Sequence, residues 1–512
     1  MSSFAGLNIS MKGLYASQKS IYVVGHNMSN ADTEGYSRQT TVRKASLPIK
    51  TYGTDGMIGT GVDTTSVIRF RNEFLDRRYW NENIRYGEWS VKNNALSEME
   101  AIMNETSEEG LASVFSDFSD ALEDLAKEPE SDQARTVVME NGRAFCLYLN
   151  TSYSNLAELR KDYNSNVKVK VNEINSYAKQ ICDLNQQIYK SELDGSTAND
   201  LRDQRALLVD KLSAIADIQV NEVNAGTLDN GKKDVRFQVI LDGVSLVNHF
   251  QYNEMECYTI DDGSVSDGMY GVRWAKTGME VEFESGEIKG YLDIRDGAGA
   301  GGDYKGIPYY IEKLNKLARV FARAFNEGTY ADGTEAIRGH ADGTGLDGST
   351  GIRFFSFDGK SSGELMGSGT DMDSIYENIT AANLCVSSDI INDTDKIAAA
   401  STGGGTGNSD IIAGLVAMFS DKNVFAEGMP EDYINAIIST MGVDAAHAGR
   451  LSKNYGNILG HLDNSRASVS QVSLDEETAN LIRYQEAYNC SAKMISVLDE
   501  ILDVTINGLG AG

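Results

Sequence analysis

Apolar positions along the chain fall into blocks of different period. Residues 4–29 have the rhythm of one helix, and the forty residues after them are turn-rich and strand-like. From about 70 to 216 the period is helical. Within that block Tyr163, Val167, Ile174, Tyr177, Ile181, Leu184 and Ile188 recur at threes and fours, with Lys170 interrupting. Such spacing predicts a long helix packed against another helix. A second helical phrase, NDLRDQRALLVDKLSAIADI, follows with paired charges on its polar face. At about 217 the period becomes two: IQVNEV, VRFQVIL, GVSLV, MECYTI, GVRWA and MEVEF are short runs separated by Gly, Asp and Asn, which predicts strands. Helix returns at 307–327, with Pro308 in its first turn. Residues 328–400 are Gly/Asp-rich with the brief strand-like run IRFFSF, STGGGTGNSD reads as a loop, and helix resumes from about 409 to 506.

This order predicts a multidomain α+β chain whose helical ends pair while the middle is inserted between them. The expected divisions are a terminal coiled-coil domain (1–44 with 466–512) and an elongated, mainly helical domain (45–216 with 293–330 and 401–465). A β-rich outer module follows at 217–292, with a second inserted module at 331–400. At the front, Leu7, Leu14, Ile21 and Met28 fall at heptad intervals with Met11 beside them. At the back, Leu481, Tyr484, Tyr488, Ile495, Leu498 and Leu502 form one row, and Ala487, Cys490, Met494, Val497, Ile501 and Val504 a second. One row suits a partner helix. Two rows make the last helix apolar over more than half its circumference, so a further surface must cover it, and a second copy of the chain is the expected cover. Periodicity by itself favours ordinary core helices. Their position at the chain ends, normally the least buried part of a domain, pulls the other way.

Charge narrows the functional classes. Lys+Arg 46 against Asp+Glu 75 gives −29, which disfavours binding to phosphate backbones or anionic membranes. No run approaches the apolar length of a membrane span, and the N-terminus lacks the pattern of a cleavable signal peptide. The five cysteines (146, 182, 257, 385, 490) are scattered singly, which reads as small apolar core residues rather than a zinc site or disulfide framework. Catalytic signatures are similarly thin. Gly343-x-Gly345-x-x-Gly348 and Gly297-x-Gly299-x-x-Gly302 fit a dinucleotide string, but neither leads directly into a helix N-terminus. Gly359-Lys360-Ser361 lacks the leading glycine of a P-loop, since position 354 is Phe. The Asp/Gly-rich text at 332–351 lacks the order of a calcium loop. The histidines (26, 249, 340, 447, 461) have no ligand-spaced partners, and His26 is expected on an assembly face or in solvent. No cofactor, metal or catalytic residue is expected.

The segment after the first helix reads Asn27-x-x-Asn30-x-x-Thr33-x-Gly35-Tyr36-Ser37-Arg38-Gln39. Asn27 and Asn30 suit a helix end, Gly35 a turn with positive φ, and Tyr36 an aromatic anchor. As a pattern it resembles the signature after the first helix of the flagellar axial proteins, the rod, hook and hook-associated subunits. Three further phrases resemble the hook-associated family of the hook–filament junction: SLDEETANLIRYQEAYNCSAKMISVLDEILD, LRDQRALLVDKLSAIADIQV, and GEIKGYLDIRD followed by IPYYIEKLNKLARVFARAFNEGTYADG. They occur in that family's order.

The resemblance implies a structural, non-enzymatic protein whose copies form a ring joining hook to filament. It implies an assembly interface at Leu7, Met11, Leu14, Ile21, Met28, Leu481, Tyr484, Tyr488, Ile495, Leu498 and Leu502. A turn role goes to Asn27, Asn30, Thr33, Gly35, Tyr36 and Arg38. The implied partners are further copies, the flagellar hook protein, the second junction protein on the filament side and a cytoplasmic export chaperone, with no nucleic acid and no membrane insertion. The implied location is the extracellular flagellum, reached by type III export without a cleaved leader. The alternatives are another axial subunit (hook or rod) and a secreted enzyme with its site in 328–400.

Overall fold

The computed structural model describes residues 3–50, 56–103, 110–227 and 233–508. It is a multidomain α+β chain with long helices at both termini and a few small sheets. Helix α1 (Ser3–Ser29) is followed by β1 (Gln39–Ala45), β2 (Ile49–Lys50), β3 (Met57–Ile58) and β4 (Val62–Arg69), which form one long antiparallel hairpin. Four helices come next: α2 (Glu73–Met103), α3 (Leu111–Lys127), α4 (Asp132–Glu192) and α5 (Asn199–Ile215). Strands β5 (Ile218–Thr227), β6 (Lys233–Leu241), β7 (Val244–Asn248) and β8 (Gln251–Tyr252) make an antiparallel sheet in that order, and β9 (Met255–Thr259) pairs with β10 (Tyr270–Trp274). MEVEF contributes only a single bridge, Glu280 to Arg273.

The second half begins with α6 (Glu287–Asp296) and α7 (Ile307–Glu327). Short elements follow: β11 (Gly343–Thr344), β12 (Phe355–Phe357), α8 (Ser362–Met366), α9 (Met372–Glu377), β13 (Leu384–Val386), α10 (Ser388–Asn392) and β14 (Ala400–Ser401). The final helical stretch is broken into α11 (Asp410–Phe419), α12 (Pro430–Ser470) and α13 (Leu474–Asp503).

Helix α4 organises the body. It runs 61 residues, about 90 Å at 1.5 Å per residue, and no proline interrupts it. Ser131 caps its start by accepting from the Ala134 amide. Its inward row passes through Val171, Ala178 and Asn185, not through Lys170. Lys170 lies at the flank, paired with Glu173 at 3.1 Å and Glu287 at 2.9 Å. The expected helix partner is only part of the cover. The second half of α4 packs with α5 and with the sheet side chains Phe237, Val239, Leu246 and Val247 in one core.

The first half of α4 belongs to a larger core, which also takes in side chains of the 331–400 stretch. Phe115, Phe118, Phe145, Phe321, Phe325, Phe354, Phe355 and Phe419 form a continuous aromatic cluster with neighbouring rings 4.9–6.4 Å apart. Half of the chain's 16 phenylalanines thus meet from five segments, with Phe354 and Phe355 supplied by the 331–400 stretch. Side chains of that stretch share the helical core. Gly142 makes the approach possible, since a Cβ there would lie 2.7 Å from the Phe354 ring.

His340 sits inside this core with no exposure. Its Nδ1 donates to the Ile352 carbonyl at 2.7 Å and its Nε2 accepts from the Ala398 amide at 2.9 Å. Burial lowers its pKa from 6.5 to about 4. The unfolded chain therefore binds this proton more tightly than the folded one. Stability is complete above pH 6.5 and falls as pH drops toward 4, by about 3 kcal/mol for this group. Urea midpoints at pH 7 and pH 4.5 should differ by a margin that shrinks in His340→Gln. An equal drop in both proteins would refute the assignment.

Candidate assembly interface

Helices α1 and α13 lie antiparallel. Gly6 faces Leu498, Gly13 faces Ser491, and Asn27 binds Glu477, three positions spread over three heptads of both helices. The best-buried row of α1 is small and polar rather than the expected leucine row: Ser10, Ser17, Ser20, Val24 and Asn27, continued by Gly13. Small side chains let the backbones approach, and a Cβ on Gly13 would stand 3.0 Å from the Ser491 hydroxyl. The other side of this row meets the hairpin. Ser20 and Thr41 hydroxyls are 2.6 Å apart, and Arg43 donates to the Ala16 carbonyl at 3.1 Å while lying over the Tyr484 ring.

Leu7, Leu14, Ile21 and Met28 flank this seam, partly buried, and so do Leu481, Tyr484, Tyr488, Ile495, Leu498 and Leu502. Met11 does not join them. It is exposed, in an outward stripe with Tyr15 and Tyr22. From Met494 onward the second row of α13 and the turn after it is bare, with Met494, Val497, Ile501 and Val504 each about half exposed. Glu477 is the one fully buried residue of α13. Cys490 stands exposed on this helix, so it is not the core residue expected, whereas Cys146 and Cys182 are buried and Cys257 and Cys385 half-buried.

The turn after α1 is a polar knot. Asn27 does not cap the helix. It is buried, accepts from the Gln39 amide at 3.0 Å and the Tyr36 hydroxyl at 2.8 Å, and donates to the Gln39 carbonyl and to Glu477. Asn30 does serve the helix end, donating to the His26 carbonyl at 3.0 Å, and Thr33 donates its amide to the Asn30 carbonyl. Gly35 takes φ +77, and a Cβ would meet Leu207 at 3.1 Å. Tyr36 packs its ring edge-on to His26, which is exposed, and burial raises its phenol pKa. Arg38 reaches across to α13, 2.8 Å from Glu476 and from Glu477, while its amide donates to the Ser470 carbonyl.

Behind this turn lies an ion network that the sequence reading missed. Asp203 accepts from the Ser37 amide and hydroxyl, both at 2.9 Å, and pairs with Arg69 and Arg71. Asp76 joins Arg71 at 2.7 Å to Arg466 at 3.0 Å, and Arg466 binds Asp210 at 2.7 Å. Asp210 also accepts from the Trp80 indole, and burial raises its pKa. The first turn, the hairpin, α2, α5 and α12 are thus tied at one place. One signal was available: Glu477 stands four residues before Leu481 and seven before Tyr484, a carboxylate on an inward row. A single polar residue in a seam fixes register at some cost in stability, and Asn27 and Glu477 meet that description from both sides.

The glycine strings serve the backbone. Gly343 pairs in the β11–β14 ladder, and Gly297 lies where a Cβ would strike the Asp293 and Tyr304 carbonyls at 2.4 Å. Gly359 takes φ +72 and Ser361 caps the five-residue α8. Among the described residues there is no group of three or more His, Cys, Asp or Glu placed to hold a metal ion, and no helix is long and apolar enough to cross a membrane.

Residues 96–355 match the model of the flagellar hook-associated protein FlgK helical domain, and residues 464–508 that of the flagellar basal body rod FlgEFG protein C-terminal region. Flagellar hook-associated protein 1 of Bacillus subtilis is 32% identical, over 100% of this chain and 99% of that protein. The Escherichia coli protein of the same name is 25% identical, over 98% of this chain and 99% of its own length. The solved flagellar hook junction protein of Burkholderia pseudomallei shares the fold, with a TM-score of 0.57 at 14% identity, covering 77% of this chain and 100% of that one.

Proposed function

The chain belongs to the family of flagellar hook-associated protein 1, and from that premise we propose that the α1–α13 pair is the element by which its copies assemble. It is a structural protein of the bacterial flagellum, acting at the junction of hook and filament. The finer reading is a ring of copies seated on the hook protein and capped by the second junction protein. The terminal helices line the ring, the body built on α4 forms its wall, and the strands of 217–292 face outward.

The observation that carries this reading is the unfinished state of α13. Its inward row is only partly covered by α1, its outward row is bare, and Glu477 alone is fully buried. A helix pair left this open is marginal in water until neighbours cover it. The same exposure supports export in an unfolded form to the cell exterior, with a cytoplasmic chaperone shielding the last helix beforehand.

Purified protein mixed with isolated hooks and located by electron microscopy tests the reading, beside a version lacking 1–30 and 475–512. Full-length protein at one hook end, with no binding by the trimmed version, is the expected result. Binding by both would refute the role of the helix pair. Growth into long tubes would identify a hook-type subunit instead.

A further inference from the structure

We propose that the recess between the base of the hairpin, α2, α5 and the β5–β6 pair binds one small inorganic oxyanion of the phosphate class. The proposal is independent of the assembly reading above.

Arginines from three segments converge there: Arg69 at the end of β4, Arg71 and Arg77 at the start of α2, and Arg202 and Arg205 one turn apart on α5. Against them its lining has the carboxylates of Glu73, Asp76 and Glu222. Acids outnumber bases 75 to 46 in the whole chain, so the sign is inverted here. Two of those carboxylates are already engaged. Asp76 accepts from Arg71 at 2.7 and 3.2 Å, and Glu222 accepts from Arg205 at 3.0 Å. Arg69 and Arg202 pair with Asp203 and Glu192, which lie outside the lining. Glu73 and Arg77 stand exposed at the rim.

Donors remain after these bonds, because each guanidinium carries five N–H groups. Among the described residues Arg69 donates once, and Arg71, Arg202 and Arg205 twice each. Among those residues, too, none of these nitrogens is sealed in the interior without a partner, so the spare N–H groups stay open to a small guest. Arg205 is 6% exposed and lies 3.7 Å from the centre of the Phe237 ring. Burial pushes its pKa down to about 9 against the pull of Glu222, and Arg202 and Arg69 add to the fall. Burial lowers Arg69 as well, with Arg71 and Arg202 working against its charge. The guanidiniums therefore repel one another where water screens them poorly. An anion among them relieves that repulsion and accepts several donors at once, and the planar guanidinium fork suits phosphate oxygens.

Size sets the class. The recess offers about 60 Å³, which at about 10–15 Å³ per water takes a few waters or one tetrahedral oxyanion and is too small for a nucleotide. An oxyanion held there touches β4, α2 and α5 together, beside Glu222 of β5 and Phe237 of β6. It ties the strand-rich module to the helical body, next to the Arg69–Asp203 pair behind the turn.

The test titrates inorganic phosphate into the full-length chain by calorimetry at constant ionic strength, with chloride as the balancing ion. One saturable site is expected, with sulfate competing for it. The urea midpoint should rise with phosphate, since a ligand that binds only the folded chain stabilises it. Arg202→Gln should weaken binding by about tenfold or more, the range for losing a charged hydrogen-bond partner. Ala206→Leu fills the recess from its lining and keeps every arginine, so it serves if Arg202→Gln does not fold. It should abolish binding while leaving the phosphate-free urea midpoint in place. Arg143→Gln, exposed on α4 beside Glu140, should bind as the unaltered chain does. Absence of saturable binding would overturn the proposal. So would binding that persists unchanged in Ala206→Leu, or an equal loss in Arg143→Gln, which would mark a diffuse attraction to surface arginines.

Discussion

Asp203→Ala should destabilise the protein by about 3–5 kcal/mol, the range for leaving buried charges without their partner. The carboxylate is almost wholly buried, and it holds the Ser37 amide, the Ser37 hydroxyl and the Arg69 guanidinium at once. Without it Arg69 keeps no carboxylate, Arg71 retains Asp76, and the Ser37 amide has no side-chain acceptor. The loss is expected in two readouts. Urea unfolding of the full chain should shift to lower denaturant. Brief proteolysis should also cut near residues 30–38 faster, because the turn is released from α5. Asp203→Asn keeps an acceptor for Ser37 and should lose less. Unchanged cleavage together with an unfolding shift below about 1 kcal/mol, the size of an ordinary surface substitution or less, would sink the idea that Asp203 holds the turn.

Arg135→Met is the second large effect, again about 3 kcal/mol or more for breaking a buried network. Arg135 is 1% exposed, and its guanidinium meets backbone carbonyls rather than a carboxylate. It donates to Pro129 at 2.7 and 3.0 Å and to Ile397 at 2.6 Å, with longer contacts to Thr394 and Asp395. Methionine preserves most of the volume, so the cost measures the lost hydrogen bonds rather than a cavity. Since those bonds tie the start of α4 to residues 394–397, hydrogen exchange should rise first at 394–400. Uniform loss of protection across the chain at unchanged stability would contradict that local role.

The local patterns were legible because each is a property of a short stretch. The switch from helical to alternating period at 217, the turn at Gly35 and the two apolar rows of α13 all appear in the structure. What escaped were choices among partners. Lys170 looked like a break in a helical seam, yet the seam passes one residue further on and the lysine extends to Glu173 and Glu287 at its edge. IRFFSF marked a strand but not that Phe354 and Phe355 enter a cluster with Phe118, Phe325 and Phe419. Leu7 and Leu14 looked like the centre of the α1 seam. They flank it, because Gly6, Ser10 and Gly13 permit the closer approach.

The sequence by itself determined that this protein has helical ends, a glycine turn after the first of them, a strand-rich middle and more apolar surface on its last helix than one partner covers. Those features depend on periods of two or three to four residues and on side chains that favour one backbone conformation. Only the tertiary structure decided that Asn27 meets Glu477, 450 residues away, that Asp203 and Asp76 join three arginines behind the turn, and that side chains of 331–400 enter the helical core. A charge or an aromatic ring carries no mark of its distant partner in its own neighbourhood. The pairing is selected only when the packed chain removes water from both groups at once, and each buried charge is then costly unless the other is in place.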